Sequence, residues 1–571
     1  MRHEKERTSF AGRDVKTSAR RELFGRRRQQ SLAALCMACA LLVSSCQTAN
    51  KQDATVQTTQ PITLNANTSN TGTMSAKQAP AGLATYDRAE EPENREAYSH
   101  IEENPFLEAA RAPLSTFSID VDTASYSNTR RMLNEGRLPP KDAVRIEEFI
   151  NYFNYDYPQP VGNAPFSVSA EVSDCPWNTQ HRLLHVGLQG KRIETGKLPP
   201  ANLVFLLDVS GSMNDPSKLP LVKSALAMLV EQLSARDRVA IVVYAGASGL
   251  VLPSTPGDRQ NDILAALDNL SAGGSTNGGQ GIMLAYKVAQ DNFIEGGTNR
   301  VILATDGDFN VGVTSEGDLV RLIEEKRRSG VFLSVLGFGS GNLQDATMEK
   351  LADKGNGHYA YIDTLAEARK VLGGEVGGTI VTIAKDVKIQ VEFNPRQVAG
   401  YRLIGYENRL LADRDFNDDT KDAGEIASGH NVTALYEIVP AGQKVEGTNI
   451  DALKYQQQQP IAPTDAANSR EMLTIKLRYK EPDQNDSRLL SVGVADARGA
   501  FANASENLKF SAAVAAFGML LRDSKHKGDT TFDRVIQTAR ASTGTDLHGY
   551  RAEFIKLVER AKSLSLSARG D

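Results

Sequence analysis

Four cysteines occur in 571 residues, and three of them fall within the first 46. Only Cys175 lies beyond that point. The rest of the chain therefore has no partner for an intramolecular disulfide and no set of thiolates for a metal cluster. Long apolar runs are missing too. The strongest run near a terminus, Leu32 to Val43, falls well short of the ~20 residues that a membrane span needs. Surplus positive charge is absent. The formal charge is −5, and residues 1–45 alone contribute ten Lys/Arg against four Asp/Glu, so removing them leaves −11. A chain this acidic does not seek nucleic acid or an anionic membrane face by general electrostatics. Neither a Gly-x-Ser-x-Gly elbow nor a Gly-x-x-x-x-Gly-Lys-Ser/Thr loop occurs, and no catalytic constellation is legible.

The short apolar run follows Arg26, Arg27 and Arg28 and ends in Val43-Ser44-Ser45-Cys46. A basic stretch, a brief apolar core and small residues before a cleavage point define an export signal over residues 1–45. The terminal cysteine makes it resemble a bacterial lipobox, which implies that Cys46 becomes the first mature residue and is lipidated on its sulfur. Gln47 after that cysteine resembles outer-membrane sorting in Gram-negative bacteria. Residues 46–105 are rich in Gln, Thr, Asn, Ala and Ser and poor in aromatics, a composition that reads as a flexible tether.

At roughly 100–200 residues per domain the remainder suits several cores. Residues 106–196 predict a small α+β module: a strand over Phe117–Asp122, helices over Tyr126–Gly136 and Val144–Phe153, strands over Phe166–Val172 and Leu183–Leu188. Over 197–375 the rhythm changes. Leu203–Leu207 is apolar throughout, as in a strand covered on both faces, and strands then alternate with helices to Leu372. That alternation predicts an α/β fold, a doubly wound and mostly parallel sheet. Residues 376–505 predict a separate β-rich, sandwich-like module, and residues 506–571 a helical segment.

Three polar loops follow strands or open helices in the α/β region. They are Asp208-Val209-Ser210-Gly211-Ser212, Gly273-Gly274-Ser275-Thr276-Asn277 and Thr305-Asp306-Gly307-Asp308. Open parallel sheets bind ligands beyond the carboxyl ends of their strands, where these loops converge. Asp208, Ser210, Ser212, Thr276 and Asp306 offer two carboxylates and three hydroxyls, with no His or Cys among them. Hard oxygen donors of this kind suit Mg²⁺, Mn²⁺ or Ca²⁺ over zinc or copper.

Asp-x-Ser-x-Ser, a later Thr and a later Asp-Gly after a strand resemble the metal-ion-dependent adhesion site of von Willebrand factor type A (VWA) domains. The resemblance implies a VWA (Rossmann-like) fold. It also implies that Ser210, Ser212 and Thr276 touch a divalent ion, probed first as Mg²⁺, while Asp208 and Asp306 hold it largely through water. Further segments are similar to YfbK-type bacterial VWA lipoproteins: Ser118–Tyr126, Cys175-Pro176-Trp177-Asn178 and Asn431–Glu437. With them the likeness covers most of residues 100–565.

Other patterns carry less. Asp413-Arg414-Asp415-Phe416-Asn417-Asp418-Asp419 is similar to the start of an EF-hand loop. Its sixth position is Asp418 instead of Gly, and its twelfth is Gly424 instead of Glu, so it reads as a solvated acidic loop. Asp120-Val121-Asp122-Thr123-Ala124-Ser125 has Asp and Ala where the metal loop needs Ser, and reads as a structural strand-to-helix turn. His181 and His185 have zinc-protease spacing, but Arg182 stands where a general base belongs and the stretch reads as strand. The expectation is a lipid-anchored, extracytoplasmic binding protein of the cell envelope. It is not an enzyme, and it recognises an exposed Asp or Glu of a protein partner through the metal. A permanent envelope scaffold is the alternative, and a metal-dependent hydrolase a more distant one.

Overall fold

Leu203 to Leu207 is apolar at every position because the strand that contains it, Ala201–Asp208, is covered on both sides. Leu203, Phe205 and Leu207 pack with Val222, Leu226 and Leu229 on one face. Val204 and Leu206 pack with Ile282, Ala285 and Tyr286 on the other. The computed structural model describes residues 95–119, 122–246, 248–274, 278–307, 316–373, 381–421, 423–447, 464–482 and 484–570. The expected leader, Cys46, nearly all of the expected tether, and Thr276 lie outside these.

Six strands form this sheet, in the order Tyr359–Ile362, Val331–Phe338, Thr298–Thr305, Ala201–Asp208, Arg238–Tyr244 and Ser248–Pro256. The first five are parallel and the last runs antiparallel at the edge. That edge strand was not among the expected elements; it contains Pro253, which an edge tolerates because the missing N–H faces no neighbour. The strand order reverses beside Ala201–Asp208, so later strands add on one side and earlier ones on the other. A crevice opens at such a switch point.

The strands before and after this domain do not form two modules, as the sequence reading had them. Asn178–Gly190 pairs with Phe166–Cys175 on one side and with Asn431–Pro440 on the other. Leu114–Ser118 joins the second sheet by pairing with Thr382–Phe393. The two sheets share one core in which Leu184, Val186 and Leu188 meet Ile389, Val391 and Ile475. Local patterning reveals that a stretch is a strand; it does not reveal a partner more than two hundred residues away.

The C-terminal helices are no separate segment either. Glu506–Arg522, Phe532–Ala541 and Tyr550–Gly570 pack with the early helices Ala124–Asn134 and Ile146–Asn151. Together they cover the outer face of the first sheet through Trp177, Leu183, Ile404 and Leu435. The α/β domain is thus inserted into a frame built from the described stretches before and after it.

Buried ion pairs fasten the insert to the frame. Arg130, from the frame, reaches Asp363 at 2.9 Å and Glu367 at 2.7 Å, and also bonds Tyr152 at 2.8 Å. Arg145 reaches Asp345 at 2.6 Å, and Arg409 reaches Glu349 at 2.7 Å. Asp122, in the turn that echoed a metal loop, accepts a 2.7 Å bond from the Tyr359 amide and so acts as a structural tie. Asp120 and Val121 lie outside the described residues. Removing one partner of a buried pair leaves an uncompensated charge and costs on the order of 3 kcal/mol or more. Arg130→Met is therefore expected to destabilise the chain by about that much. In denaturant titrations followed by two probes, one per domain, the insert should unfold separately from the frame. A single coincident transition at the original midpoint would contradict this.

Candidate functional site

Asp208 is the last residue of its strand, and Asp306 directly follows the adjacent strand Thr298–Thr305. Leu207 lies opposite Ala304 in their ladder, so parallel pairing delivers both carboxylates to one edge of the sheet. Both are fully buried. Asp208 accepts bonds from the Ser210 amide at 2.9 Å and from the Tyr244 and Thr305 hydroxyls, each at 3.2 Å. The Ser210 and Ser212 hydroxyls are 3.1 Å apart. Ser212 in turn hydrogen-bonds Asp306. The first and second loops are stitched by backbone bonds, Gly211 N to Gly274 O at 3.1 Å and Gly273 N to Val209 O at 2.8 Å. Four of the five expected site residues are therefore together; the fifth, Thr276, lies outside the described residues.

The two carboxylates differ in environment. Burial pushes the Asp208 carboxyl up to about 6, and the charge on Asp306 adds to the rise. Burial acts upward on Asp306 as well, but the Lys218 ammonium at 2.8 Å outweighs it and holds that carboxyl below its ordinary value. Lys218 was not anticipated. It lies outside the Asp-x-Ser-x-Ser pattern, and no spacing rule points from it to Asp306.

A fourth loop, Gly339–Gln344, was also missed. It follows the strand Val331–Phe338 and supplies Asn342, whose amide hydrogen-bonds Asp306. The Asn342 side-chain amide oxygen, Oδ1, is buried without a hydrogen-bond partner. This loop is braced by the first described residues: Arg95 N bonds Gly341 O at 2.7 Å, and Glu96 accepts the Gly341 amide at 2.9 Å while pairing with Arg131 at 2.8 Å.

The donor set fits a hard divalent cation. It holds carboxylate, hydroxyl and amide oxygens, no soft ligand among the described residues, and one buried oxygen still lacking a partner. The other candidates do not assemble. In the acidic loop the carbonyls of Asp415 and Asp418 accept the Lys388 ammonium, and that of Asp419 accepts Lys480 at 2.8 Å. The side chains of Asp413, Asn417 and Asp419 stay exposed, as a solvated acidic loop requires, while lysines take its carbonyls. His181 and His185 share a strand, where four residues span roughly 13 Å. His181 pairs with Glu437 at 2.6 Å and His185 with the Tyr157 hydroxyl at 2.9 Å, so they cannot share an ion. Cys175 is a packed, buried thiol, which burial pushes to a high pKa.

Three family models match: the von Willebrand factor type A domain over residues 202–373, one described as von Willebrand factor over 92–185, and one described as "Uncharacterized protein YfbK, C-terminal" over 378–564. YfbK of Escherichia coli (strain K12) is 45% identical over 479 residues, covering 82% of this chain and 81% of that one. The chain belongs to the YfbK family. Human inter-alpha-trypsin inhibitor heavy chain H4 is 29% identical over 161 residues, 27% of this chain and 17% of its own length. Among solved structures, a von Willebrand factor type A protein from Catenulispora acidiphila shares 16% identity, with 79% of this chain and 90% of that one covered and a TM-score of 0.35. The VWA domain of this YfbK-family chain indicates a function of the protein-interaction or adhesion type. VWA domains often bind a divalent metal at such a site.

Gly307 anchors the third loop. Its φ is +99°, and a Cβ there would lie 2.8 Å from Asn342 O, Gln344 N and Leu343 Cα. Backbone cannot step aside as a flexible side chain can. Strain and overpacking together put the cost of Gly307→Ala at about 2–4 kcal/mol. The loss is expected in urea titrations with chelator present, since it arises from packing and not from a metal. An unchanged midpoint would show that the third and fourth loops do not meet as described.

Proposed function

We propose that this chain is a membrane-tethered, extracytoplasmic binding protein that recognises an acidic side chain of a protein partner through a metal-ion-dependent adhesion site. The observation that carries this reading is the hydrogen-bonded run from Ser210 through Ser212 to Asp306, beside Asp208, at the carboxyl ends of adjacent parallel strands. Asp208, Ser210, Ser212, Thr276 and Asp306 are the residues that hold the ion, Mg²⁺ in the first instance, with Mn²⁺ and Ca²⁺ of the same hard-oxygen class.

A divalent ion held there supplies a positive centre for an anionic oxygen. The chain's own residues do the rest. Neutral hydroxyls from Ser210, Ser212 and Thr276 leave the positive charge largely unspent. Asp208 and Asp306 orient the Ser210 and Ser212 hydroxyls by hydrogen bonds. Tyr244 and Thr305 fix the Asp208 carboxylate, so that it does not swing when a ligand arrives. Bonds from such a site to a partner carboxylate are charge-assisted and hence stronger than neutral ones.

Binding of a partner from detergent-solubilised envelope is expected to need divalent metal and to be abolished by Asp208→Ala, Thr276→Ala or Asp306→Ala. Pull-downs with Mg²⁺ and with chelator measure it. Capture that survives chelator and all three substitutions would overturn the mechanism and favour a permanent scaffold. The anchor is tested apart from the site. Cys46→Ser should abolish labelling by a palmitate analogue and leave the protein unprocessed or soluble, and unchanged labelling would remove the tether from the reading.

A further inference from the structure

Lys218 is the N-cap of the helix Leu219–Val230, a position where it makes no capping hydrogen bond. A cation there faces the positive end of the helix dipole, so local helix chemistry gives no reason for it. Its ammonium instead turns to Asp306 at 2.8 Å, on a side chain only 11% exposed against a carboxylate that is fully buried. The stem has a fitted seat. It lies against Gly339, whose φ is +72°, and a Cβ at that position would collide with Lys218 Cγ, Cδ and Cε. Gly339 is itself held, because the Tyr361 hydroxyl donates to its carbonyl. Only a residue without a side chain leaves room for the lysine, and a hydrogen bond from the neighbouring strand keeps that residue in place.

We propose that Lys218 is a tethered cation that competes with the divalent ion for Asp306 and so sets the metal affinity of the site low. The proposal rests on the reading that Asp208 and Asp306 belong to a metal site, and it concerns how tightly that site binds. In the metal-free protein the ammonium neutralises a carboxylate that burial would otherwise leave without a counter-charge. A divalent ion must then either draw on a carboxylate already paired or displace the ammonium from its seat. Both routes weaken binding, and like charges held this close in a buried site repel more than they would in water. Metal occupancy then follows the ambient concentration, and the protein does not hold its ion permanently.

The probe is Mn²⁺, titrated into the full chain and followed by electron paramagnetic resonance, with thermal unfolding as a second readout. Lys218→Met keeps the stem and removes the charge, and it is expected to tighten Mn²⁺ binding tenfold or more. Lys218→Arg retains a cation and should stay within about threefold of the parent. In chelator Lys218→Met should melt below the parent, because Asp306 loses its counter-charge, and Mn²⁺ should raise its midpoint more than it raises the parent's. Lys218→Gln, whose amide can still donate to Asp306, serves if the methionine variant does not fold in chelator. Equal or weaker Mn²⁺ binding by the neutral variants, with binding lost in Asp208→Ala, would overturn the competition while leaving the metal site intact. An absence of Mn²⁺ binding in the parent and the neutral variants alike would remove the metal site and the competition together.

Discussion

The backbone ladder between Asn178–Gly190 and Asn431–Pro440 joins two stretches separated by the entire inserted domain. Its register runs from Asn431 opposite Gln189 to Ile438 opposite Arg182, and its inward side chains feed the sandwich core while its outward ones feed the helical layer. Because both flanks of the insert lead into the frame, the α/β domain is held at two ends. The ion pairs of Arg130, Arg145 and Arg409 fix it along one side. Placement of the strand-end loops relative to the rest of the molecule follows from that closure.

Several buried carboxylates are met by cations of the chain itself: Asp306 by Lys218, Glu437 by Arg402, Asp363 and Glu367 by Arg130. The acidic loop after Asp413 follows the same pattern, since Lys388 and Lys480 take the carbonyls that a Ca²⁺ loop would present to its ion. Asp208 differs. Hydroxyls and an amide surround it, no cation among the described residues is bonded to it, and its carboxyl is raised by burial. An external cation there would meet a buried carboxylate held by hydroxyls and an amide.

The α/β domain was legible because its signal is local. An unbroken apolar strand, helices with apolar residues three and four apart, and polar loops at strand ends all lie within a few residues of one another. Asp208, Ser210, Ser212 and Asp306 were found from those loops and their resemblance to the VWA metal-site pattern. Lys218 and Asn342 were not, because their roles depend on where loops fold back in space. The frame was misread for a related reason. Phe166–Cys175 and Asn431–Pro440 each announce a strand, but hydrophobic alternation gives a strand's faces and not its neighbours. Trp177 marks the limit well: the sequence shows a lone tryptophan beside a cysteine, and only the structure shows its indole donating to Glu437 at 3.0 Å beneath the C-terminal helices.

The discontinuous frame also dictates an order of assembly. Strand Asn178–Gly190 is synthesised long before its partner Asn431–Pro440, so one of its edges must wait while the insert is made. Pairings so distant in sequence are slow to form, and a waiting edge rich in Leu and Val invites association with other chains. The parallel strands of the insert find their neighbours within about a hundred residues and can complete their sheet meanwhile. A folded insert then shortens the effective distance between the two halves of the frame and brings Asn431–Pro440 toward the edge left open for it. Chaperone dependence should fall on the frame, and a chain truncated before residue 431 would carry a formed VWA domain beside an unfinished sandwich.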